Sequence, residues 1–152
     1  VNASLKRNLI VSTARGWIGT PYRHQASMRG VGTDCLGLIR GIFIQVEGHA
    51  PETPPPYSPD WAEVPGASGV IVETMADAAH RHLVEMEVAE AAPGDVLLFR
   101  MSPHGAAKHA AIQTPGGRMV HACSGRAVAE VHRGQWWQRR LSFVFRFPGI
   151  EI

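Results

Sequence analysis

Three side chains of this sequence have types and spacing that could carry chemistry together. They are Cys35, inside GVGTDCLGLIRG, and two histidines twelve residues apart, His109 in KHAAIQ and His121 in RMVHAC. A thiol becomes a strong nucleophile when ionised, and it then needs a base to take its proton and a third group to orient that base. Two imidazoles on neighbouring strands can fill those two roles. Taken alone, a cysteine on an apolar helix face is ordinary core filler. The glycines and the aspartate before Cys35, together with the paired histidines downstream, shift the reading toward a nucleophile.

The elements that must position these groups can be read in turn. Thr33 and Asp34 are both good N-caps, so a helix begins there and places Cys35 in its first turn. Leu38, Ile39, Ile42, Phe43 and Val46 share its apolar face with Cys35, and Gly48 ends it. At such a helix start, the positive dipole end and free backbone N–H groups favour a thiolate and can receive the oxyanion of an acyl intermediate. Gly37 and Gly41 each cost the helix ~1 kcal/mol against alanine, which implies that something packs closely on it.

An earlier helix is expected from Ser4, with Leu5, Leu9, Ile10, Ala14, Trp17 and Ile18 at helical spacing and Gly19 and Pro21 as its stop. A third is expected with Ile71, Met75, Ala78, Ala79, Leu83 and Met86 inward, after the proline-rich surface connection PETPPPYSPDW. From Pro93 the pattern changes to the strand-like runs DVLLFR, KHAAIQ, RMVHAC, AVAEVH and SFVFRF. Helices first and strands afterward imply an α+β domain with a mostly antiparallel sheet of five or six strands. TPGG, 114–117, should turn KHAAIQ into RMVHAC as a hairpin. A loop of three residues puts His109 and His121 on the same face, and a loop of two puts them on opposite faces. Cys123 shares the face of His121 in any regular strand.

Composition narrows the function classes. With 152 residues, 45% of them apolar, the chain is expected to form one domain over 1–152. The net charge of +2 comes from dispersed arginines and offers no stripe for nucleic acid. The two cysteines cannot build a disulfide framework. No apolar run approaches the roughly 18 residues that cross a bilayer, and the N-terminal segment lacks a signal-peptide core. Membrane insertion is therefore not expected, and synthesis in the cytoplasm without a signal peptide is.

A metal centre is the main rival: Cys35, His109, His121 and Cys123 would make a Cys2His2 zinc set. The tight C-x-x-C or H-x-x-x-H spacings of strong zinc motifs are missing, so the expectation is no metal and no cofactor. A second rival is an interaction module that keeps the fold without activity. One or both of Trp136 and Trp137 are expected to pack at the sheet edge, His80 and His82 to lie on a solvated helix face, and His24, His104 and His132 to line the cleft or be exposed.

The order DCLGL, KHAAI and MVHA resembles the NlpC family of cysteine peptidases, which have a compact papain-like core. PGDVLLF is similar to that family's first sheet strand, and GTPY to its upstream segment carrying a tyrosine. The segment GTPYRHQASMRGVGTDCLGL most resembles members encoded with phage tails and gene transfer agents. The resemblance implies that Cys35 is the nucleophile, His109 the general base, His121 the group that orients it, and Tyr22 a support for the oxyanion. It gives Asp34 a part in binding the free amino end of a substrate, beside its capping role. It implies hydrolysis of peptidoglycan peptide stems, at the bond from D-glutamate to the diamino acid. It further implies tail-tip or baseplate partners and action in the periplasm of a target cell. The sequence departs from the family at Leu36, where many members have serine.

Overall fold

The computed structural model describes residues 2–54 and 73–150. Ile71 and most of the proline-rich connection lie outside the described residues. The helix α1 spans Ala3–Arg15 and is capped by the Asn2 side chain, which accepts from the Leu5 N–H. Its inward residues are Ile10, Val11 and Ala14, whereas Leu5 and Leu9 are 57% and 48% exposed. Ile10, Ala14 and Trp17 are buried as expected, but Leu5, Leu9 and Ile18 are not. Arg7 belongs to the inward stripe, reaching the Pro93 carbonyl at 2.8 Å and Asp95 at 3.4 Å, and a cation there hides the stripe from a hydropathy pattern.

A short antiparallel ribbon follows, β1 at Ser27–Met28 and β2 at Gly32–Thr33. The helix α2, Cys35–Glu47, then starts on Asp34, whose side chain accepts from the Gly37 N–H, and ends on Gly48 in the left-handed region. Leu38, Ile42 and Phe43 are buried as expected. Its two glycines are explained by contact. A Cβ on Gly37 would lie 1.9 Å from the Ala26 carbonyl oxygen, and one on Gly41 would lie 2.2 Å from the Trp17 ring.

The helix α3 covers only Thr74–His82. The expectation that it runs through Leu83 and Met86 fails, because Val84–Met86 forms the strand β3 instead. Apolar residues at 83 and 86 suit a helix as well as a strand end, and pairing with a distant strand decides the matter. The remaining strands are β4 (Val96–Arg100), β5 (Ala107–Thr114), β6 (Arg118–His121), β7 (Ala129–His132) and β8 (Leu141–Arg146). A four-residue helix, α4 (Gln135–Gln138), precedes β8.

The six-stranded sheet has the order β3-β8-β4-β5-β6-β7 with every neighbouring pair antiparallel. Helices α1, α2 and α3 all meet β5. Leu38 and Ile42 of α2 pack with Val96, Leu98, Ala110, Ile112 and Val120 on that side. On the alternate positions Leu97, Phe99, Ala111, Met119 and Val144 form a second cluster, closed by Met86 and Trp137. A buried ion pair joins two strands: Arg146 at the end of β8 donates to both oxygens of Asp95, the residue before β4, at 3.0 and 2.9 Å.

Candidate active site

The hairpin from β5 to β6 sets the site's geometry. Thr114 pairs with Arg118, which leaves a loop of three residues, and Gly116 and Gly117 supply its positive φ values of 78° and 70°. The odd loop puts His109 and His121 on one face, and their rings meet with Nε2 of His109 2.9 Å from Nδ1 of His121. The last rung of this ladder is Ala111 with His121, so β5 runs on past the end of β6 through Ala110, His109 and Lys108.

Cys35 enters beside that extension. Its thiol donates to the Lys108 carbonyl at 3.3 Å, and the Ala110 backbone N–H offers it a hydrogen bond. Those two groups are the chain neighbours of His109, so the sulfur meets the strand at the level of His109, with its proton on a carbonyl rather than on a ring. Helix α2 lies on one side of the sheet and the histidines are on the face of Phe99 and Ala111.

The electrostatics depart from the expected thiolate. Burial pushes the Cys35 thiol up to about 12, Asp34 and Cys123 push in the same direction, and the Ala110 N–H only partly offsets them. Burial also holds His109 at about 3, helped by the charges of His121 and Lys108, and holds His121 at about 4. At neutral pH the resting site therefore contains a neutral thiol and two neutral imidazoles. The helix start helps the thiolate less than desolvation opposes it.

Asp34 is 3% exposed, and its carboxylate accepts from the Gly37 N–H at 2.7 Å and the Gln25 N–H at 2.8 Å. It caps α2 and also pins the preceding loop, where Gln25 holds a positive φ of 64°. His24 stands 4.0 Å from the same carboxylate. Tyr22 bridges to Thr33, and its hydroxyl is pushed above the ordinary range by burial and then by the nearby Cys35, Asp34 and Cys123. All five residues expected at the site are thus brought to one end of the sheet.

Two further residues belong here. Trp137 stacks on His109 with centroids 5.1 Å apart and an interplanar angle of 26°, and meets His121 edge-on at 5.2 Å. It does pack on the sheet as expected, but on the histidines themselves, while Trp136 is 50% exposed beneath Arg140. Cys123 lies 3.4 Å from Nδ1 of His121. His109, His121 and Cys123 each offer a metal-ligating atom within 4.8 Å of the others, and Cys35 is not in that group. The four-ligand zinc set is not assembled. Among the outlying histidines, His80 pairs with Glu85 and His82 with Glu52, while His104 and His132 are exposed.

The chain is similar to known proteins. Gamma-DL-glutamyl hydrolase of Bacillus subtilis is 26% identical over 144 residues, covering 94% of this chain and 30% of that protein's length. The crystal structure of the NlpC/p60 domain of the peptidoglycan hydrolase SagA matches with a TM-score of 0.62 and 25% identity, over 93% of this chain and 98% of that one. The peptidoglycan hydrolase RipB from Mycobacterium tuberculosis shares the fold at a TM-score of 0.62 and 22% identity, over 99% of this chain and 68% of that one. The match to the NlpC/P60 family itself runs through residues 19–146, from the segment before Tyr22 to the end of β8, and by it this chain belongs to the NlpC/P60 family.

Proposed function

We propose that this chain hydrolyses peptide stems of bacterial peptidoglycan, with Cys35 as nucleophile, His109 as general base and His121 as the group that orients it. The observation that carries the reading is the 2.9 Å contact from His109 Nε2 to His121 Nδ1, with Cys35 at the start of α2 bonded to the carbonyl of Lys108, the residue before His109. Because Nε2 of His109 is committed to His121, Nδ1 is the nitrogen left for the thiol proton. The thiol leaves the Lys108 carbonyl, passes its proton to that nitrogen and attacks the carbonyl carbon of the stem. Since thiol and imidazole are both neutral at rest, proton transfer accompanies attack. Backbone N–H groups at the helix start and the Tyr22 hydroxyl receive the oxyanion. The leaving amine takes the proton from His109. Water, deprotonated by the same ring, then hydrolyses the thioester and restores the thiol.

The bond is the one from D-glutamate, through its side-chain carboxyl, to the diamino acid. The name of the Bacillus subtilis relative and the family resemblance support that choice. Asp34 takes the free amino end of the stem. The run from Gly19 to Leu38 supports a place among hydrolases of phage tails and gene transfer agents. On this reading the protein is made in the cytoplasm, held by tail-tip or baseplate proteins and used in the target cell's periplasm during DNA entry. Mass spectrometry of products from purified muropeptides tests the bond: fragments ending in D-glutamate are expected, and release of the stem from the sugar would overturn it. Particles carrying Cys35→Ala are expected to lose DNA delivery, and normal delivery would overturn the tail role.

A further inference from the structure

Cys123 has no part in the proposed reaction, yet its sulfur lies 3.4 Å from Nδ1 of His121. That same nitrogen is 2.9 Å from Nε2 of His109. The residues come from the two strands of one hairpin, with His121 at the end of β6 and Cys123 two positions beyond it. Both histidines are buried, at 8% and 7% exposure, and Cys123 is half-buried. Three ligating atoms within 4.8 Å of one another approach the spacing of a tetrahedral zinc site. Bonds of about 2.0 Å to nitrogen and 2.3 Å to sulfur place such ligands roughly 3.3 to 3.8 Å apart.

We propose that His109, His121 and Cys123 form an inhibitory site for a borderline-soft divalent cation, Zn2+ above all, with water as the fourth ligand. The donor set of two imidazoles and one thiolate selects zinc-like ions over calcium or magnesium, which prefer oxygen. On binding, the Cys123 thiol loses one proton to solvent. The proton shared between the rings moves to a ring nitrogen away from the ion, so that each imidazole remains neutral. His109 then has Nε2 on the ion and Nδ1 protonated, and it cannot accept the proton of Cys35. Hydrolysis stops without any change to the nucleophile.

The inhibition rests on the proposed hydrolase reading, but occupancy of the site does not, so it is measured first without substrate. Zn2+ affinity is read by competition with a chromophoric chelator, and Co2+ serves as the optical probe. Cys35→Ala is expected to bind a single equivalent and to show the thiolate-to-cobalt charge-transfer band. Cys123→Ser is expected to bind at least tenfold more weakly and to lack the band. In assays on wall fragments, Zn2+ inhibits wild type reversibly, and a chelator restores the rate. Cys123→Ser, measured against its own chelator-treated rate, needs at least tenfold more Zn2+ for the same fractional inhibition. Unchanged affinity in Cys123→Ser, loss of the cobalt band in Cys35→Ala, or no binding by either variant would each overturn the site. If binding follows expectation but wild type cleaves nothing, the hydrolase reading fails and the metal site stands.

Discussion

Nε2 of His109 lies 2.9 Å from Nδ1 of His121, across two strands whose last rung is His121 itself. The second ring occupies one nitrogen of the first, and in the proposed reaction it acts through orientation and not through contact with substrate. His121→Ala should lower kcat on the order of 100-fold and leave KM within about threefold, as expected for a misplaced base. Steady-state rates on a soluble muropeptide check this. A change confined to KM would place His121 in substrate binding.

Alkylation of Cys35 should be slow at neutral pH, because burial holds its thiol at about 12. In a Cys123→Ser background only Cys35 can react. Its rate with iodoacetamide at pH 7 should be more than about tenfold below that of a small free thiol, and should still be rising at pH 9. A plateau already reached at pH 7 would mean that a thiolate exists at rest.

Stability should fall with acidification earlier than carboxylates alone would make it. The folded chain holds His109 at about 3, against 6.5 for the unfolded ring, so the unfolded chain binds more protons between those values. The contribution of the neutral ring is complete above 6.5 and is lost as pH falls toward 3. For this single group the loss by pH 5 is about 2 kcal/mol. Urea unfolding with chelator present, at pH 7 and pH 5, should show that His109→Gln removes about this much of the difference. An identical difference in the variant would contradict the cause.

Trp137 covers the base, with its ring 5.1 Å from that of His109. Trp137→Ala should cost about 2 kcal/mol in stability and roughly tenfold in kcat, since the imidazole loses its stacked wall. Trp137→Phe should recover most of the rate. Equal rates in all three proteins would reduce Trp137 to packing alone.

Gly37→Ala tests how the helix start is held. Its Cβ would press on the Ala26 carbonyl at 1.9 Å, the same oxygen that accepts from the Asp34 N–H at 3.2 Å. A cost of about 3 kcal/mol is expected, together with loss of activity. Thermal unfolding checks it, and a stability equal to wild type would contradict the close contact.

Much of this site was legible from local rules. Asp34 as N-cap and Gly48 as stop follow from side-chain hydrogen bonding and from glycine's access to positive φ, whereas the turn after Thr114 read equally as two or three residues. The structure's three-residue loop is what puts His109 and His121 on one face. What depends on distant pairing was not legible. Met86 reads as helical until β8 claims it, and Arg7 reads as surface until Asp95 places it on the inward side of α1. The thiolate expectation failed for a related reason. A helix start is visible in the sequence, whereas the burial of Cys35 beside Lys108 and Ala110 exists only once the sheet is assembled. Trp137 was assigned to packing correctly, but the sequence does not say that its partner would be His109.

Cleavage of purified muropeptides by wild type and by Cys35→Ala, followed by mass spectrometry, tests the central claim most directly. Wild type should release the γ-D-glutamyl fragment, and Cys35→Ala should release none while keeping the circular dichroism and thermal unfolding of wild type. Fragment release by a folded Cys35→Ala would contradict the assignment of Cys35 as nucleophile.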